Sequence, residues 1–294
     1  MRFLFVDRVL DCIPEVSIHG IKQITADDYY LCQDDHGHTC FIPSLVGETL
    51  GQLAAWNVMV ASDFAQRPVA GVCASAKFER SAYVGETLLL EAFIDSLDDQ
   101  MVAYHATARV GDQVVCTLEG SLGPLLPMQD FIDPQCARKQ WAEINRPAAW
   151  PVLENTAGEA LFVPTIISRS MTFDRLCAIE PLVGCVAEKC LTRTADYWPD
   201  HFPNKPVLPL TVLLECKRNL ARSFLERSGL SAFSILHEVR KIKMHAFILP
   251  GDNIMCTVRL KQRDDQQVVL SFRSDVAGKK VCVMEMVMLH KALV

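Results

Sequence analysis

The sequence lacks the segments that would place it at a membrane or on nucleic acid. No run approaches the roughly 18 uninterrupted apolar residues of a membrane-spanning helix, and Asp7 and Arg8 interrupt the apolar N-terminal stretch too early for a secretory signal. The net charge of −6 is not the basic excess typical of proteins that coat nucleic acid. Half of the 294 residues are hydrophobic and 22% are charged, so a sizeable core is expected. We therefore predict a soluble, cytoplasmic protein that binds neither membranes nor nucleic acid.

The twelve cysteines also lack a recognisable pattern. No two of them form a C-x-x-C pair, and the sequence has no set of close Cys and His pairs typical of structural zinc. A disulfide framework is typical of short secreted chains. Most of these cysteines lie among Val, Leu and Ala, which indicates small buried hydrophobic residues in a reducing compartment.

Four similarities in the same order divide the chain into two repeats. They recur at a spacing of 166 or 167 residues, and four such matches indicate a duplicated domain. We predict a first repeat at residues 1–127, a proline-containing linker at 128–167 and a second repeat at 168–294. The matched pairs are Phe5–Leu10 with Thr172–Leu176, Thr25 with Thr192, Glu48 with Glu215, and Lys77–Glu86 with Lys243–Asp252.

Each repeat has the same predicted order of elements: a short strand, a polar stretch, one long helix and several β-rich segments. The helices are predicted at residues 44–64 and 210–227, and the first is apolar nearly all round, as in a helix covered by a sheet. A short helix is predicted in the linker at 137–144. The pattern predicts an α+β fold in which an antiparallel sheet wraps around each long helix. The strands are predicted at 69–78, 87–97, 101–110, 114–122, 253–262, 267–276 and 280–289.

The most specific stretch of the chain runs from Asp200 to Glu215. His201 stands directly before Phe-Pro in a loop with three prolines, and Glu215 follows fourteen residues later on the predicted helix. This stretch resembles the active-site segment of the hotdog-fold 3-hydroxyacyl-ACP dehydratases of bacterial fatty-acid synthesis. Asn204 and Leu210 replace two glycines of that family's pattern. The positions that match its spacing are His201, Phe202, Pro203, Pro206, Pro209 and Glu215.

The resemblance covers both repeats and implies a double hotdog, comparable to the dehydratase domains of polyketide synthases. The turns at Gly85-Glu86 and Gly251-Asp252 look like the family's Gly-Asp turn between strands. In the first repeat, Asp34 stands where the histidine would be, fourteen residues before Glu48. The helix half of the motif is better kept there, as Glu48-x-x-x-Gln52.

In that family the histidine and the acidic residue of one site come from different hotdogs. The resemblance therefore implies one working site per chain, in which His201 is the base and Glu48 gives a proton to the departing hydroxyl. The mirrored combination of Glu215 with Asp34, or at best with His36, is expected to be inactive. Gln52 is a secondary candidate. The predicted substrate-binding residues are Phe202, Pro203, Val207, Pro209, Ser44 and Leu45, the last two through backbone N–H groups at the start of the first helix.

The implied reaction converts a 3-hydroxyacyl thioester on acyl carrier protein into the trans-2-enoyl thioester, in fatty-acid, polyene or polyketide synthesis. It needs no metal and no organic cofactor. Enoyl-CoA hydratases, thioesterases and a non-catalytic scaffold are alternatives that the fold does not separate. The chain is expected to form an internal pseudo-dimer, and a further homo- or hetero-oligomer is left open. Candidates to bind an acidic carrier protein are Lys217, Arg218, Arg222, Arg240, Lys241, Lys243, Lys279 and Lys280.

Overall fold

The computed structural model describes residues 3–149 and 171–293 of the chain. In its N-terminal part, one long helix follows four short strands and is itself followed by five strands. The elements are β1 (Arg8–Ile13), β2 (Ser17–Gln23), β3 (Leu31–Gln33), β4 (Thr39–Phe41), α1 (Pro43–Ala61), β5 (Gln66–Pro68), β6 (Val72–Phe78), β7 (Thr87–Leu97), β8 (Met101–Val110) and β9 (Gln113–Pro127), then a 3-10 turn (Met128–Asp130) and α2 (Pro134–Ile144).

The C-terminal part repeats the plan with fewer short strands. Its long helix again lies between a two-stranded hairpin and a run of long strands. The elements are β10 (Arg175–Glu180), β11 (Gly184–Cys190), α3 (Leu210–Arg227), β12 (Ile235–Met244), β13 (Asn253–Arg263), β14 (Gln267–Val276), β15 (Lys279–Leu289) and a terminal 3-10 turn (Lys291–Leu293).

One antiparallel sheet runs through both parts in the order β1-β2-β7-β8-β9-β6-β12-β15-β14-β13-β11-β10, with β5 added beside β9. The parts join edge to edge where β6 pairs with β12, with Ala76 opposite Val239 and Lys77 opposite Glu238. β3 and β4 form a separate hairpin. The two edges that would otherwise be exposed at the centre of the molecule therefore satisfy each other's backbone hydrogen bonds.

The long helices lie against this sheet and against each other. α1 contacts β2, β7, β8 and α3, and its residues Leu45, Leu50 and Leu53 are fully buried. Burying side chains of this size stabilises the fold by about 1.5–3 kcal/mol each. Most of the buried hydrophobic residues of both parts belong to one continuous cluster, and two smaller clusters lie beside it. The predicted fold class, an α+β double hotdog, is confirmed.

The ends of the helices agree with the predictions to within a few residues. α3 spans the predicted 210–227. α1 ends at Ala61 rather than at 64, because Asp63 and Phe64 adopt positive φ angles of 49° and 59°, which cannot continue a right-handed helix. The turns at Gly111 and at Ala277-Gly278 have the positive φ angles that tight hairpins require.

The predicted linker contains α2, which is longer than the predicted 137–144 segment. Its start is fixed by Pro134 in the first turn and by Asp133, whose side chain accepts a hydrogen bond from the backbone N–H of Gln135 at 2.7 Å. Trp141 of α2 packs beside Trp56 of α1, with ring centroids 5.8 Å apart. Residues 150–167 of the predicted linker and 168–170 of the predicted second repeat lie outside the described residues, and the boundaries 1–127, 128–167 and 168–294 stay predictions. Within residues 3–149 and 171–293, no helix is long and apolar enough to cross a membrane.

Candidate active site

The proline-rich loop between β11 and α3 holds His201. The ring nitrogen Nδ1 of His201 lies 3.0 Å from the carbonyl oxygen of Val207. Because a carbonyl oxygen only accepts hydrogen bonds, Nδ1 must carry the ring proton, and Nε2 of the neutral ring is left with a free lone pair. The next residue, Phe202, has a positive φ of 62°, which is unusual for a residue other than glycine, and its ring stacks on the imidazole at 4.2 Å.

The surroundings of His201 keep its ring neutral. Burial lowers the pKa of His201 to about 4; the negative charge of Glu48 and the Val207 hydrogen bond oppose this, and the guanidinium of Arg67 adds to it. An unperturbed histidine has a pKa of about 6.5. At neutral pH the His201 ring is therefore able to accept a proton at Nε2.

Glu48 lies on α1, one turn before Gln52, and its two carboxylate oxygens have different donors. The Thr211 hydroxyl of α3 donates to Oε2 at 2.7 Å, and the Gln52 amide donates to Oε1 at 3.0 Å. Gln52 is itself held by the backbone, since it accepts from the Phe5 N–H at 2.9 Å and donates to the Phe3 carbonyl at 3.2 Å. Among the described residues, two neutral donors and no cation therefore hold the carboxylate in position.

His201 and Glu48 line the same cavity, which has a volume of about 440 Å³. This is within the usual size range of small-molecule pockets. The cavity follows α1 past Gly47 and Gly51, where the absence of side chains leaves room between the helix and the sheet. A methyl group at Gly51 would lie 3.6 Å from the Tyr104 hydroxyl. We refer to His201, Glu48, Gln52 and Thr211 as the His201 site.

A related arrangement surrounds Glu215, at the equivalent position of α3. Ser44 stands 167 residues before Thr211, and its hydroxyl donates to Glu215 Oε2 at 3.1 Å. Each helix thus supplies a hydroxyl to the carboxylate of the other. Here, however, the guanidinium of Arg218 donates to Glu215 Oε1 at 2.9 and 2.6 Å. We refer to Glu215, Ser44 and Arg218 as the Glu215 site.

Asp34, which replaces the histidine in the first repeat, is used by its own loop. It accepts hydrogen bonds from the backbone N–H groups of His36 and His38 and from the Tyr83 hydroxyl. These donors and the nearby His38 lower its pKa against the effect of burial. His36 is exposed at the turn. Asp34, His36 and Glu215 are not among the residues that line the cavity of the His201 site.

The predicted substrate-binding residues divide into two groups. Ser44, Phe202, Pro203 and Val207 line the cavity. Two others do not: the Leu45 side chain is fully buried in the core, and Pro209 is the residue before the first turn of α3.

The prediction that backbone N–H groups at the start of α1 face the substrate is also corrected at Leu45. Its N–H bonds to the carbonyl of Ile42 at 2.9 Å, because the first turn of the helix closes on itself. At the start of α3, in contrast, Leu210 and Thr211 line the cavity, and the first N–H groups of a helix have no carbonyl partner within it.

Several polar residues of the cavity were not predicted as site residues, among them Thr211, Arg67 and Tyr104. Thr211 had a signal in the sequence, because it matches Ser44 at the repeat spacing. Arg67 and Tyr104 had none, since both come from strands whose inward-facing positions depend on register.

Comparison with known proteins places the chain among dehydratases. A family model described as ApeI-like, ApeI dehydratase, matches residues 183–285. The 3-hydroxyacyl-acyl-carrier-protein dehydratase FabZ of Wolbachia pipientis subsp. Culex pipiens is 30% identical over 114 residues, which cover 38% of this chain and 80% of that protein. The FabZ of a Thermoanaerobacter species is 31% identical over 123 residues, covering 40% of this chain and 83% of that protein.

Solved structures are similar over nearly the whole chain. The dehydratase domain of the polyketide protein PpsC from Mycobacterium tuberculosis has a TM-score of 0.54 and 12% identity, with 95% of this chain and 98% of that one covered. A putative oleoyl thioesterase from Lactobacillus plantarum has a TM-score of 0.57 and 12% identity, covering 93% and 96%. At this level of identity the two structures show a shared fold and no more.

Proposed function

Because this chain belongs to the hotdog-fold 3-hydroxyacyl-ACP dehydratase family, we propose that it removes water from a 3-hydroxyacyl thioester carried by an acyl carrier protein. The product is the trans-2-enoyl thioester of fatty-acid or polyketide synthesis. The observation that most supports this proposal is that a neutral histidine from the second repeat and a carboxyl group from the first line one cavity.

The proposed chemistry assigns one proton transfer to each residue. Nε2 of His201 removes a proton from C2, next to the thioester carbonyl, and the electron pair forms the double bond between C2 and C3. The protonated form of Glu48 gives its proton to the C3 hydroxyl, which leaves as water, and Glu48 becomes a carboxylate. The proton held by His201 then returns to Glu48 through solvent, which balances the cycle. Thr211 and Gln52 hold the Glu48 carboxyl group in place through both steps.

The proposed carrier protein would dock beside the cavity entrance on the second repeat. His245 lines the cavity and is exposed. Slight desolvation and the positive charges of Lys280 and Lys243 lower the pKa of His245, so both lysines lie near its ring. Both lysines are exposed. A basic surface at this point suits an acidic carrier that inserts its phosphopantetheine arm.

Not all eight basic candidates fit that role. Lys217 is fully buried, with its Nζ 3.3 Å from the Cys282 sulfur, and Arg218 is held by Glu215. Arg222 pairs with Asp35 at 2.7 Å. Arg240 and Lys241 both lie within 3.2 Å of Glu285. Lys243, Lys279 and Lys280 form none of the ion pairs found within residues 3–149 and 171–293.

The test is turnover of matched substrates by the purified full chain. The same 3-hydroxyacyl group is supplied on acyl carrier protein and on coenzyme A, and the mass of each acylated carrier is measured by mass spectrometry. We expect the carrier-protein substrate to lose the mass of one water, and His201→Ala to abolish this. His105→Ala is the matched control, because His105 is an exposed histidine outside the cavity. Turnover of the coenzyme A substrate alone would favour a hydratase, and release of free thiol would favour a thioesterase.

A further inference from the structure

Arg67 of β5 is a cation in the cavity without an anionic partner. Its Nε is buried and has no hydrogen-bond partner. Its Nη1 lies 3.3 Å from the Met59 sulfur, a weak acceptor, and its guanidinium carbon lies 4.7 Å from the centre of the Phe202 ring. Within residues 3–149 and 171–293, no carboxylate forms an ion pair with it.

This guanidinium is charged at neutral pH. Burial lowers the pKa of Arg67 to about 10, and the negative charge of Glu48 opposes the decrease. Glu48 does not pair with Arg67, since its oxygens accept from Thr211 and Gln52. A desolvated charge that lacks a partner is energetically unfavourable. A ligand that brings an oxygen acceptor to Arg67 would recover part of that energy.

Arg67 is separated from His201, so its ligand is not the part of the substrate that reacts. The imidazole of His201 and the ring of Phe202 stack at 4.2 Å, so that face of Phe202 has no room for a guanidinium at 4.7 Å. Arg67 therefore lies on the other face, with the Phe202 ring between it and His201. Met59, its other contact, follows Glu48 by eleven residues on α1, about 16 Å along the helix axis.

Other polar groups line the same cavity. Tyr104 and Ser121 both contribute hydroxyl groups to its wall, and burial raises the pKa of Tyr104, so its hydroxyl is a neutral donor. Ser121 already donates to the Cys73 sulfur at 3.5 Å, so the group that a bare alkyl chain would leave without an acceptor is Arg67. The cavity wall is therefore suited to an acyl group with oxygen beyond the reacting carbons.

We propose that Arg67 is a specificity-determining residue that binds an oxygen of the acyl chain beyond C3, and that 3-hydroxyacyl thioesters with a distal carboxylate are preferred over alkyl chains of equal length. This inference rests on the proposed function. A phosphate of the carrier arm is the alternative source of an anionic ligand, and the experiment separates the two because its substrates carry no phosphate.

The experiment compares pairs of 3-hydroxyacyl N-acetylcysteamine thioesters that end in a carboxylate or in a methyl group, over a series of chain lengths. These substrates carry no phosphate. For the wild type we expect kcat/KM to be roughly ten- to a hundredfold higher for the carboxylate of the best-fitting length, as for one charge-assisted hydrogen bond. Arg67→Met should bring that ratio to one or below, and Arg67→Lys should keep part of it.

Arg138→Met is the matched control. The Arg138 guanidinium also lies over an aromatic ring, 4.8 Å from the centre of Phe64, but it pairs with Asp63 and does not line the cavity. This variant should keep the wild-type ratio. An unchanged ratio in Arg67→Met, or a wild type that prefers the methyl-ended chains, would overturn the proposal.

Binding measurements test the role of Arg67 independently of the proposed dehydratase activity. If the wild type dehydrates neither series, the dehydratase proposal fails, while calorimetric titration of the two series still tests Arg67. Tighter binding of the carboxylate series by the wild type, lost in Arg67→Met and partly kept in Arg67→Lys, would support Arg67 as the recognition residue. Equal binding of the two series would contradict it. Circular dichroism of each variant shows whether it is folded before either measurement is compared.

Discussion

The His201 site and the Glu215 site share the same arrangement of helices and carboxyl groups but differ in the residues around each carboxyl group. In both, a helix carries a carboxyl group that accepts a hydrogen bond from a hydroxyl at the start of the other helix. Gly51 of α1 leaves the His201 site open, whereas the matching position of α3 is Arg218, which neutralises Glu215. Two differences, Gly51 against Arg218 and His201 against Asp34, thus distinguish an open cavity from a closed ion pair.

This difference shows what duplication permits. In a symmetric dimer, a residue that closes one site would close both. In a duplicated chain, Arg218 stabilises one repeat while the other keeps an open cavity. We infer that the Glu215 site has a structural role and the His201 site the catalytic one.

The largest expected effect is on His201. General acid–base groups contribute about 10²–10⁴-fold, so His201→Ala should lower kcat by that factor. Because residues of one catalytic unit are not additive, His201→Ala with Glu48→Gln should be little slower than either variant alone. Steady-state kinetics with a 3-hydroxyacyl-ACP substrate provides the comparison. Multiplicative losses would contradict a shared site.

Arg218 should affect stability rather than chemistry. Arg218→Met leaves the Glu215 carboxylate buried without a cation, and removing one partner of a buried pair typically costs about 3–5 kcal/mol. Combining it with Glu215→Gln removes the unpaired charge and should recover much of the free energy of unfolding. Urea denaturation of the two variants and the wild type tests this. Equal stability of Arg218→Met and the wild type would show that the pair has no structural role.

The pH dependence of kcat/KM and of the free energy of unfolding should reflect the lowered pKa of His201. Since the pKa of His201 is lowered to about 4 in the folded chain, kcat/KM should fall on the acid side near that pH, not near 6.5. The unfolded chain binds more protons at this group between pH 4 and 6.5, so its contribution to stability is lost as the pH falls through that window. His201→Asn should reduce the slope of unfolding free energy against pH there. An acid limb at 6.5 would mean that the ring is solvated.

The smallest effect is expected at the turn of the first repeat. His36→Ala and His38→Ala should each keep most of the activity, because both side chains are exposed and neither lines the cavity. Relative kcat values of the two variants provide the check. A hundredfold loss in a folded variant would mean that the first repeat is catalytic.

Most helices and strands could be predicted from the sequence, because they depend on local residue patterns that recur in both repeats. The helix at 210–227, the hairpin at Ala277-Gly278 and the repeated α+β plan follow from periodicity, turn residues and duplication. The double hotdog was implied by the resemblance of the Asp200–Glu215 stretch to the dehydratase family. Leu45 was misplaced because a helix that is apolar all round does not show which face meets the cavity and which the core. Arg67 and Arg218 were not assigned to the sites, because an arginine in sequence does not reveal whether it reaches solvent, a carboxylate or a cavity.

The most direct test of the account compares two carboxyl groups. Glu48→Gln and Glu215→Gln change one atom each at equivalent positions of the two helices, so any difference in kcat reflects the surroundings. We predict that Glu48→Gln lowers kcat by about 10²–10⁴-fold, whereas Glu215→Gln stays near the wild-type rate and changes mainly the free energy of unfolding. A Glu215→Gln variant that is inactive beside an active Glu48→Gln variant would contradict the pairing of His201 with Glu48.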